Sequence, residues 1–388
     1  MMYFDNAATT YPKPPQVRLA VADALNRLGA NPGRGGYPMA LQTAEAVFAC
    51  REELAAFFGL SEPANVCFTP NCTAALGTVI KGVLRDGGHA VISCLEHNSV
   101  IRPISALPNV TYTEAAVYAG DDERTVESFR RAIQPNTKLV LCTHASNVLG
   151  VRLPVEKLGA LAQKRGILFA VDAAQSAGIL PLDMERDGID FLCLPGHKAL
   201  YGPMGSGALL CRRETAIPPL TEGGTGSASL KAEQPTELPD RFESGTVNVP
   251  AICGLCAGVR FLKSHGIGAV AQKEIALMRR LYEAVAGERG ITVYTPYPDL
   301  AVTVPMVTLN VGLLSSEETA ALLAQDGVAV RAGLHCAPSA HRCIATLDRG
   351  AVRLCPSCFT TTEMVDKTAK ILCKIARKNL QSRDSMLQ

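Results

Sequence analysis

The stretch Leu194-Pro195-Gly196-His197-Lys198 decides the fold when read with Ala170-Val171-Asp172-Ala173-Ala174-Gln175 upstream of it. Each is a short apolar run that ends in a reactive group. Ile167 to Val171 leads into the carboxylate of Asp172, and Phe191-Leu192-Cys193-Leu194 leads to the amine of Lys198. Continuous apolar runs of this length, bounded by turn residues, read as strands buried on both faces, which belong in parallel sheets covered by helices. The pattern repeats outward. Val66-Cys67-Phe68, Ala90-Val91-Ile92, Lys138 to Cys142 and Gly207 to Cys211 read as strands, and Val126 to Ala132 and Val155 to Arg165 carry helical spacing between them. This alternation predicts an α/β fold with a large, mostly parallel sheet. Ligands of such sheets gather at the carboxyl ends of the strands. Asn71-Cys72-Thr73, His97, Asn147, Asp172 and Lys198 all fall there, which points to a single site.

The chain has 388 residues, enough for two domains. With 47% hydrophobic and 19% charged residues it has the composition of a compact globular protein. The formal charge of +2, with Lys and Arg dispersed apart from short pairs such as Arg212-Arg213 and Arg279-Arg280, gives no footprint for nucleic acid. No apolar run is long enough to span a bilayer, and Met1-Met2-Tyr3-Phe4-Asp5 does not read as a secretory signal. A cytoplasmic protein without a membrane partner is therefore expected. Most of the 14 cysteines, among them Cys67, Cys94, Cys142, Cys193, Cys211 and Cys373, sit in apolar runs where Cys behaves as a small hydrophobe. The two Cys-x-x-Cys pairs, Cys253/Cys256 and Cys355/Cys358, lie too far apart for a zinc ribbon, and no metal is expected.

Beyond the alternating region, Glu222 to Glu243 is rich in Gly, Ser, Pro and charge, and reads as a surface excursion suited to a subunit contact. Helices are expected from Pro250 through Leu262, from Ala269 to Ala286, from Ser316 to Gln325 and from Thr362 to Asn379. Strands are expected at Ile291 to Tyr294, Met306 to Asn310, Val328 to Arg331 and Ala351 to Leu354. The resulting division is an N-terminal segment (1–20) packing near the small domain, a large α/β domain (21–250) and a smaller α+β domain (251–388).

An acid and a lysine at the ends of neighbouring buried strands suit pyridoxal phosphate: the lysine holds its aldehyde as a Schiff base and the acid keeps its ring nitrogen protonated. The plain alternative makes Asp172 a helix cap and Lys198 a surface residue. Thr69-Pro70-Asn71-Cys72-Thr73 ends a strand and opens a helix, so Cys72 and Thr73 form a candidate phosphate cradle, with His197 as a further donor. Ordinary capping by Asn71 or Thr73 is the competing reading. His97 is placed to stack on a ring and to move a proton near neutral pH, or is a structural histidine. Gln175, three residues after Asp172, can reach the cofactor's phenolic oxygen. In Arg331-Ala332-Gly333-Leu334-His335-Cys336-Ala337-Pro338, Cys336 stands in a polar break as a candidate nucleophile, with His335 and Arg331 as candidates for favouring its thiolate. Arg353, inside an apolar run, is costly to bury unless it holds an anion such as a substrate carboxylate.

The combination of Phe4-Asp5-Asn6-Ala7-Ala8-Thr9-Thr10, Ser146-Asn147-Val148-Leu149-Gly150, Asp172-Ala173-Ala174-Gln175, Gly196-His197-Lys198, Gly245-Thr246-Val247-Asn248 and Arg331 to Ala337 resembles the class V aminotransferases. Within them it is similar to the cysteine desulfurase and selenocysteine lyase branch, from residue 4 to about 375. The resemblance implies a fold-type I enzyme with a seven-stranded sheet, carrying pyridoxal phosphate on Lys198. It also implies that Asp172 faces the pyridine nitrogen, Gln175 the ring oxygen and His97 the ring face, with Thr73 and His197 at the phosphate. Thr246 would reach the phosphate of a second subunit, making a homodimer. Arg353, with Asn147 and Arg331, would bind the substrate carboxylate, and Cys336 would accept sulfur from L-cysteine as a persulfide for passage to an acceptor protein. Lys198 would take the α-proton, and His97 would handle the proton on the substrate thiol.

Two positions depart from the family's pattern: Pro195 replaces a phosphate-binding serine, and Arg34-Gly35-Gly36 leads to Tyr37 rather than a histidine. Cys343, Cys355 and Cys358 either resolve a persulfide or simply pack. A selenocysteine lyase or cysteine-sulfinate desulfinase, a class V transaminase, and a cofactor-free metal-binding protein are the rival readings.

Overall fold

The computed structural model of the chain describes residues 1–33, 35–212 and 217–386. Arg34 and Arg213, both singled out in the sequence, lie outside the described residues.

The strands are β1 (Met2–Tyr3), β2 (Val66–Thr69), β3 (Gly88–Ser93), β4 (Val110–Ala115), β5 (Thr137–Thr143), β6 (Leu168–Asp172), β7 (Phe191–Pro195), β8 (Gly207–Cys211), β9 (Ile291–Val293), β10 (Val307–Val311), β11 (Val328–Ala329) and β12 (Val352–Leu354). The helices are α1 (Pro15–Arg27), α2 (Pro38–Phe57), α3 (Cys72–Val83), α4 (Asn98–Ser105), α5 (Asp122–Ala132), α6 (Val155–Lys164), α7 (Val249–His265), α8 (Ile267–Val285), α9 (Ser316–Gln325), α10 (Pro338–Cys343) and α11 (Thr362–Met386).

Seven strands form the main sheet in the order β2-β8-β7-β6-β5-β3-β4. Every neighbouring pair is parallel except those of β8, which runs antiparallel to both β2 and β7. Six of these strands are continuous apolar runs. The seventh, β4, reads Val-Thr-Tyr-Thr-Glu-Ala; it lies at the edge, pairs with β3 alone and is partly exposed, so its sequence alternates instead.

One face of the sheet buries Leu76 and Ile80 of α3, Ile104 of α4, Leu139 and Phe191. The other buries Leu54 of α2, Phe129 of α5, Leu158 of α6, Phe169 and Leu262 of α7. Burying each such side chain contributes roughly 1.5–3 kcal/mol, which makes these two layers the main source of stability. A three-stranded antiparallel sheet, β12-β10-β9, packs with α8 and α11 around Leu281, Leu309 and Leu372. Phe4 belongs to this second core, and β1 pairs in parallel with β11. A few residues later, Thr9 Oγ1, the Thr10 N–H and Lys13 Nζ all donate to the carbonyl of His197, so the N-terminal segment joins the small sheet to the turn that bears Lys198. Residue 20 lies within α1 and residue 250 within α7, so neither division point read from the sequence falls between elements. Residues 222–243 form no helix or strand and are mostly exposed, as expected. They end at Glu243, whose carboxylate takes two hydrogen bonds from the buried guanidinium of Arg51 (2.7 and 2.6 Å).

Candidate active site

One cavity at the carboxyl edge of the main sheet is lined by Cys72, Thr73, His97, Asn147, Asp172, Gln175, His197 and Lys198. Strand ends account for most of this gathering. Asp172 is the last residue of β6 and is buried, accepting from the N–H of Ala174 (2.8 Å) and the thiol of Cys72 (3.4 Å). Gln175 is buried close by and donates to the Ala7 carbonyl (3.1 Å).

Lys198 follows β7 on an arch that returns to β8. Gly196 N–H donates to Ser206 O, Gly202 N–H to Gly196 O, and Tyr201 N–H to Lys198 O, each at 2.8 Å. Gly178 packs beneath the arch at φ +91°, where a Cβ would meet the Ala199 carbonyl oxygen at 2.6 Å. Burial, reinforced by Arg353, pushes the Lys198 ammonium below its ordinary value, with Asp172 opposing. A lowered value leaves more of the amine neutral, as a nucleophile or base requires.

The capping alternative holds locally at α3: Asn71 is the cap, and its side chain accepts from Ala74 N–H (2.9 Å). That leaves the first-turn N–H groups of Cys72 and Thr73 without intrahelical acceptors, and both residues line the cavity. Cys72 contributes backbone only, since its thiol is turned to Asp172 and burial pushes it well up. Thr73 Oγ1 and Ser99 Oγ are 2.8 Å apart. His97 caps α4, its Nδ1 accepting from Ser99 N–H (3.0 Å), so the neutral ring carries its proton on Nε2. Burial lowers the His97 imidazole, with Lys198, Arg102 and Arg353 adding to the effect and Asp172 opposing. His197 is pushed down to about 4 by burial, then by Lys198 and Lys13, and its buried Nδ1 has no partner.

Above this cavity lies the Cys336 loop. His335 and Cys336 both have positive φ (51° and 56°), a costly conformation for non-glycine residues that the surroundings must hold in place. Asn98 N–H donates to Cys336 O and Asn147 Nδ2 to His335 O, each at 2.7 Å. Cys336 is exposed. His335 is buried, stacks on His341 and bonds it at 3.2 Å; burial, then Arg353 and His341, push it down to about 3. It therefore brings no positive charge to the loop, contrary to the reading of the sequence.

Arg353 is buried, as expected. Its Nη1 donates to Asn147 O (2.7 Å), its Nη2 pairs with Asp5 Oδ1 (3.2 Å), and its Nε has no partner. Arg331 is exposed on the adjoining bridge to Arg353. Thr246 is not in the cavity; it is exposed beside Asn31 and lines a neighbouring hollow.

Two residues carry the site without having been singled out. Asp5 is one, in a quoted motif but with no role read from it. Glu96 is the other: it is fully buried, its Oε1 accepts from Thr143 N–H (2.8 Å) and Ser93 Oγ, and its Oε2 has no partner. Burial raises it to about 8. Its signal in the sequence was an acid beside His97 at the end of an apolar run. Among the other cysteines in question, Cys355 is buried and Cys358 is half-buried with its N–H on Tyr201 Oη (3.1 Å), so both pack. Cys343 is exposed.

These residues fit pyridoxal phosphate. The unpartnered His197 Nδ1 and the first turn of α3 offer donors to a phosphate, while Lys198 and Asp172 stand on one cavity with a lowered amine and a fixed carboxylate. Among the described residues no helix is long and apolar enough to cross a membrane.

Comparison with known proteins agrees with this geometry. The probable cysteine desulfurase of Methanothermobacter thermautotrophicus is 30% identical over 384 residues, covering 97% of this chain and 94% of that protein. The probable cysteine desulfurase of Pyrococcus abyssi is 33% identical over 346 residues, covering 87% and 85%. The apo structure of the cysteine desulfurase from Thermococcus onnurineus NA1 superposes with a TM-score of 0.88 at 30% identity, covering 97% of this chain and 94% of that one. The family Aminotransferase class-V matches residues 2–368. The chain therefore belongs to the class-V aminotransferases, a family dependent on pyridoxal phosphate.

Proposed function

We propose that the protein is a cysteine desulfurase, converting L-cysteine to L-alanine and leaving the sulfur on Cys336 as a persulfide. The observation that carries this reading is the cavity joining Lys198, Asp172, Gln175, His97, Thr73 and His197, with the loop of the exposed Cys336 tied to lining residue Asn147 through the His335 carbonyl. The relatives named above add to it.

When bound, pyridoxal phosphate supplies an aldehyde for the substrate amine and a ring that takes up electrons released at Cα. Lys198 Nζ would hold the group through its aldehyde, and the free amine of Lys198 would take the substrate Cα proton. The Asp172 carboxylate, fixed by Ala174 N–H and the Cys72 thiol, keeps a proton on the ring nitrogen. Gln175 would meet the ring oxygen, and the α3 N-terminus, Thr73 and His197 would hold the phosphate. Arg353, Asn147 and Arg331 bind the substrate carboxylate. His97, neutral with its proton on Nε2, moves a proton at the substrate sulfur. The Cys336 thiolate attacks that sulfur: the Cβ–S bond of cysteine breaks, an S–S bond forms, and the carbon skeleton keeps the electron pair, takes a proton at Cβ and leaves as alanine. Thr246, exposed outside this cavity, would reach the phosphate of a second copy in a homodimer. The outer sulfur of the persulfide then passes to an acceptor, either a protein or a free thiol.

The test is alanine formation from L-cysteine by cofactor-loaded protein, compared with Lys198→Ala. Alanine from the wild type, with matching sulfide once a small dithiol is added to reduce the persulfide, falling to background in the variant, supports the reading. Absence of alanine from the loaded wild type overturns it.

A further inference from the structure

Two thiols outside the cavity meet where the Cys336 loop lies against the main sheet. Cys94 follows β3 and is half-buried; Cys343 closes α10 and is exposed. Cys343 Sγ lies 4.0 Å from the Cys94 carbonyl oxygen, and each thiol perturbs the ionisation of the other. Asn98 N–H, four residues after Cys94, donates to Cys336 O (2.7 Å), and Ser339 and Arg342 of α10 hold the carboxylate of Glu114 on the adjoining strand β4 (3.0 and 3.1 Å).

Around this pair the charged groups are Glu114 and Arg342, which oppose one another. The neighbouring Cys94 thiol draws the Cys343 thiol down to about 7, while the Cys94 thiol goes up. One sulfur is thus a partly ionised, accessible nucleophile, and its neighbour keeps the proton. With Cys343 Sγ lying against residue 94 itself, rotation of the two side chains is what an S–S bond of about 2.05 Å requires.

We propose that Cys94 and Cys343 are a second redox-active dithiol, which takes sulfane sulfur from a persulfide and releases it as hydrosulfide while closing to a disulfide. Cys343 attacks the outer sulfur of the donor; the donor's S–S bond breaks and the donor leaves as a thiol. Cys94 then attacks Cys343 Sγ, an S–S bond forms between them, and hydrosulfide leaves with the Cys94 proton. The sulfane sulfur gains two electrons and the two thiols lose two. A small dithiol reopens the pair. The proposal rests on the desulfurase reading only for Cys336 as the source of the persulfide.

The experiment has two arms on the full-length, reduced and desalted protein. In the first, cofactor-loaded wild type receives L-cysteine without reductant. In the second, Cys336→Ala receives glutathione persulfide, so desulfurase activity plays no part. In the second arm the expected result is rapid hydrosulfide release with a Cys94–Cys343 disulfide found by peptide mapping. Release is expected to slow about tenfold or more when Cys343→Ser is added. With Cys94→Ser, the persulfide accumulates on Cys343. Alkylation of Cys343 on the folded protein at neutral pH provides the same block without a substitution. Unchanged release after alkylation, or a disulfide mapped to other cysteines, overturns the dithiol. Alanine without the Cys94–Cys343 disulfide in the first arm overturns Cys336 as its donor. A first arm without alanine counts against the desulfurase reading alone.

Discussion

Arg353 Nη2 stands 3.2 Å from Asp5 Oδ1, an ion pair that ties a strand of the small sheet to the segment following β1. The guanidinium is nearly fully buried, and its other donor is committed to the Asn147 carbonyl, leaving Nε unpartnered. A lysine has the charge but not the planar fork. Arg353→Lys is therefore expected to raise KM for L-cysteine by about tenfold or more, with a smaller change in kcat. Steady-state alanine kinetics measure the split. A change confined to kcat would move Arg353 out of carboxylate binding.

Cys336→Ala is expected to leave cofactor binding, read as visible absorbance, unchanged. Sulfide release from L-cysteine should fall by about 100-fold or more. The substitution removes an exposed thiol and no buried contact, so a matched melting curve should show no loss of fold. Full activity in the variant would rule out the persulfide role.

Glu96 sets a pH dependence of stability. Its carboxyl rises from 4.5 to about 8 in the fold, through burial. Between those values the folded protein binds more protons than the unfolded chain. The contribution of this group is then complete below 4.5 and is lost as pH rises through about 8. Glu96→Gln keeps an acceptor for Thr143 and Ser93 and cannot ionise. Relative to the wild type, the variant should gain about 1–3 kcal/mol between pH 5 and pH 8. Denaturant melts at the two pH values test this; a constant difference would mean that Glu96 does not titrate in this window.

Gly178→Ala places a Cβ 2.6 Å from the Ala199 carbonyl oxygen and forces φ +91° on a non-glycine residue. A loss of about 2–4 kcal/mol is expected, with weakened cofactor retention because Ala199 adjoins Lys198. Thermal melts and the cofactor-to-protein ratio measure both effects.

Much of the main sheet was legible because buried parallel strands leave a simple mark, an unbroken apolar run. β4 escaped because its edge position lets Thr111 and Tyr112 remain exposed. The cavity was legible because its lining residues end strands, and a strand end is visible in one dimension. Relationships between distant segments were not. Nothing near Asp5 shows that it meets Arg353, and Cys94, which follows a buried strand, looked like one more small hydrophobe until the fold placed it against Cys343. His335 misled for the same reason: adjacency to Cys336 in sequence gave no hint that its ring turns inward to His341.

The arch from Gly196 to Ser206 stands with one foot on β7 and the other on β8, which pair directly, and three short bonds brace its span. A nitrogen that has to release its partner and later recapture it does best when its anchorage stays put. Here Nζ can swing only about its own side-chain bonds, so each return starts from the same doorstep rather than from wherever a wandering loop has carried it.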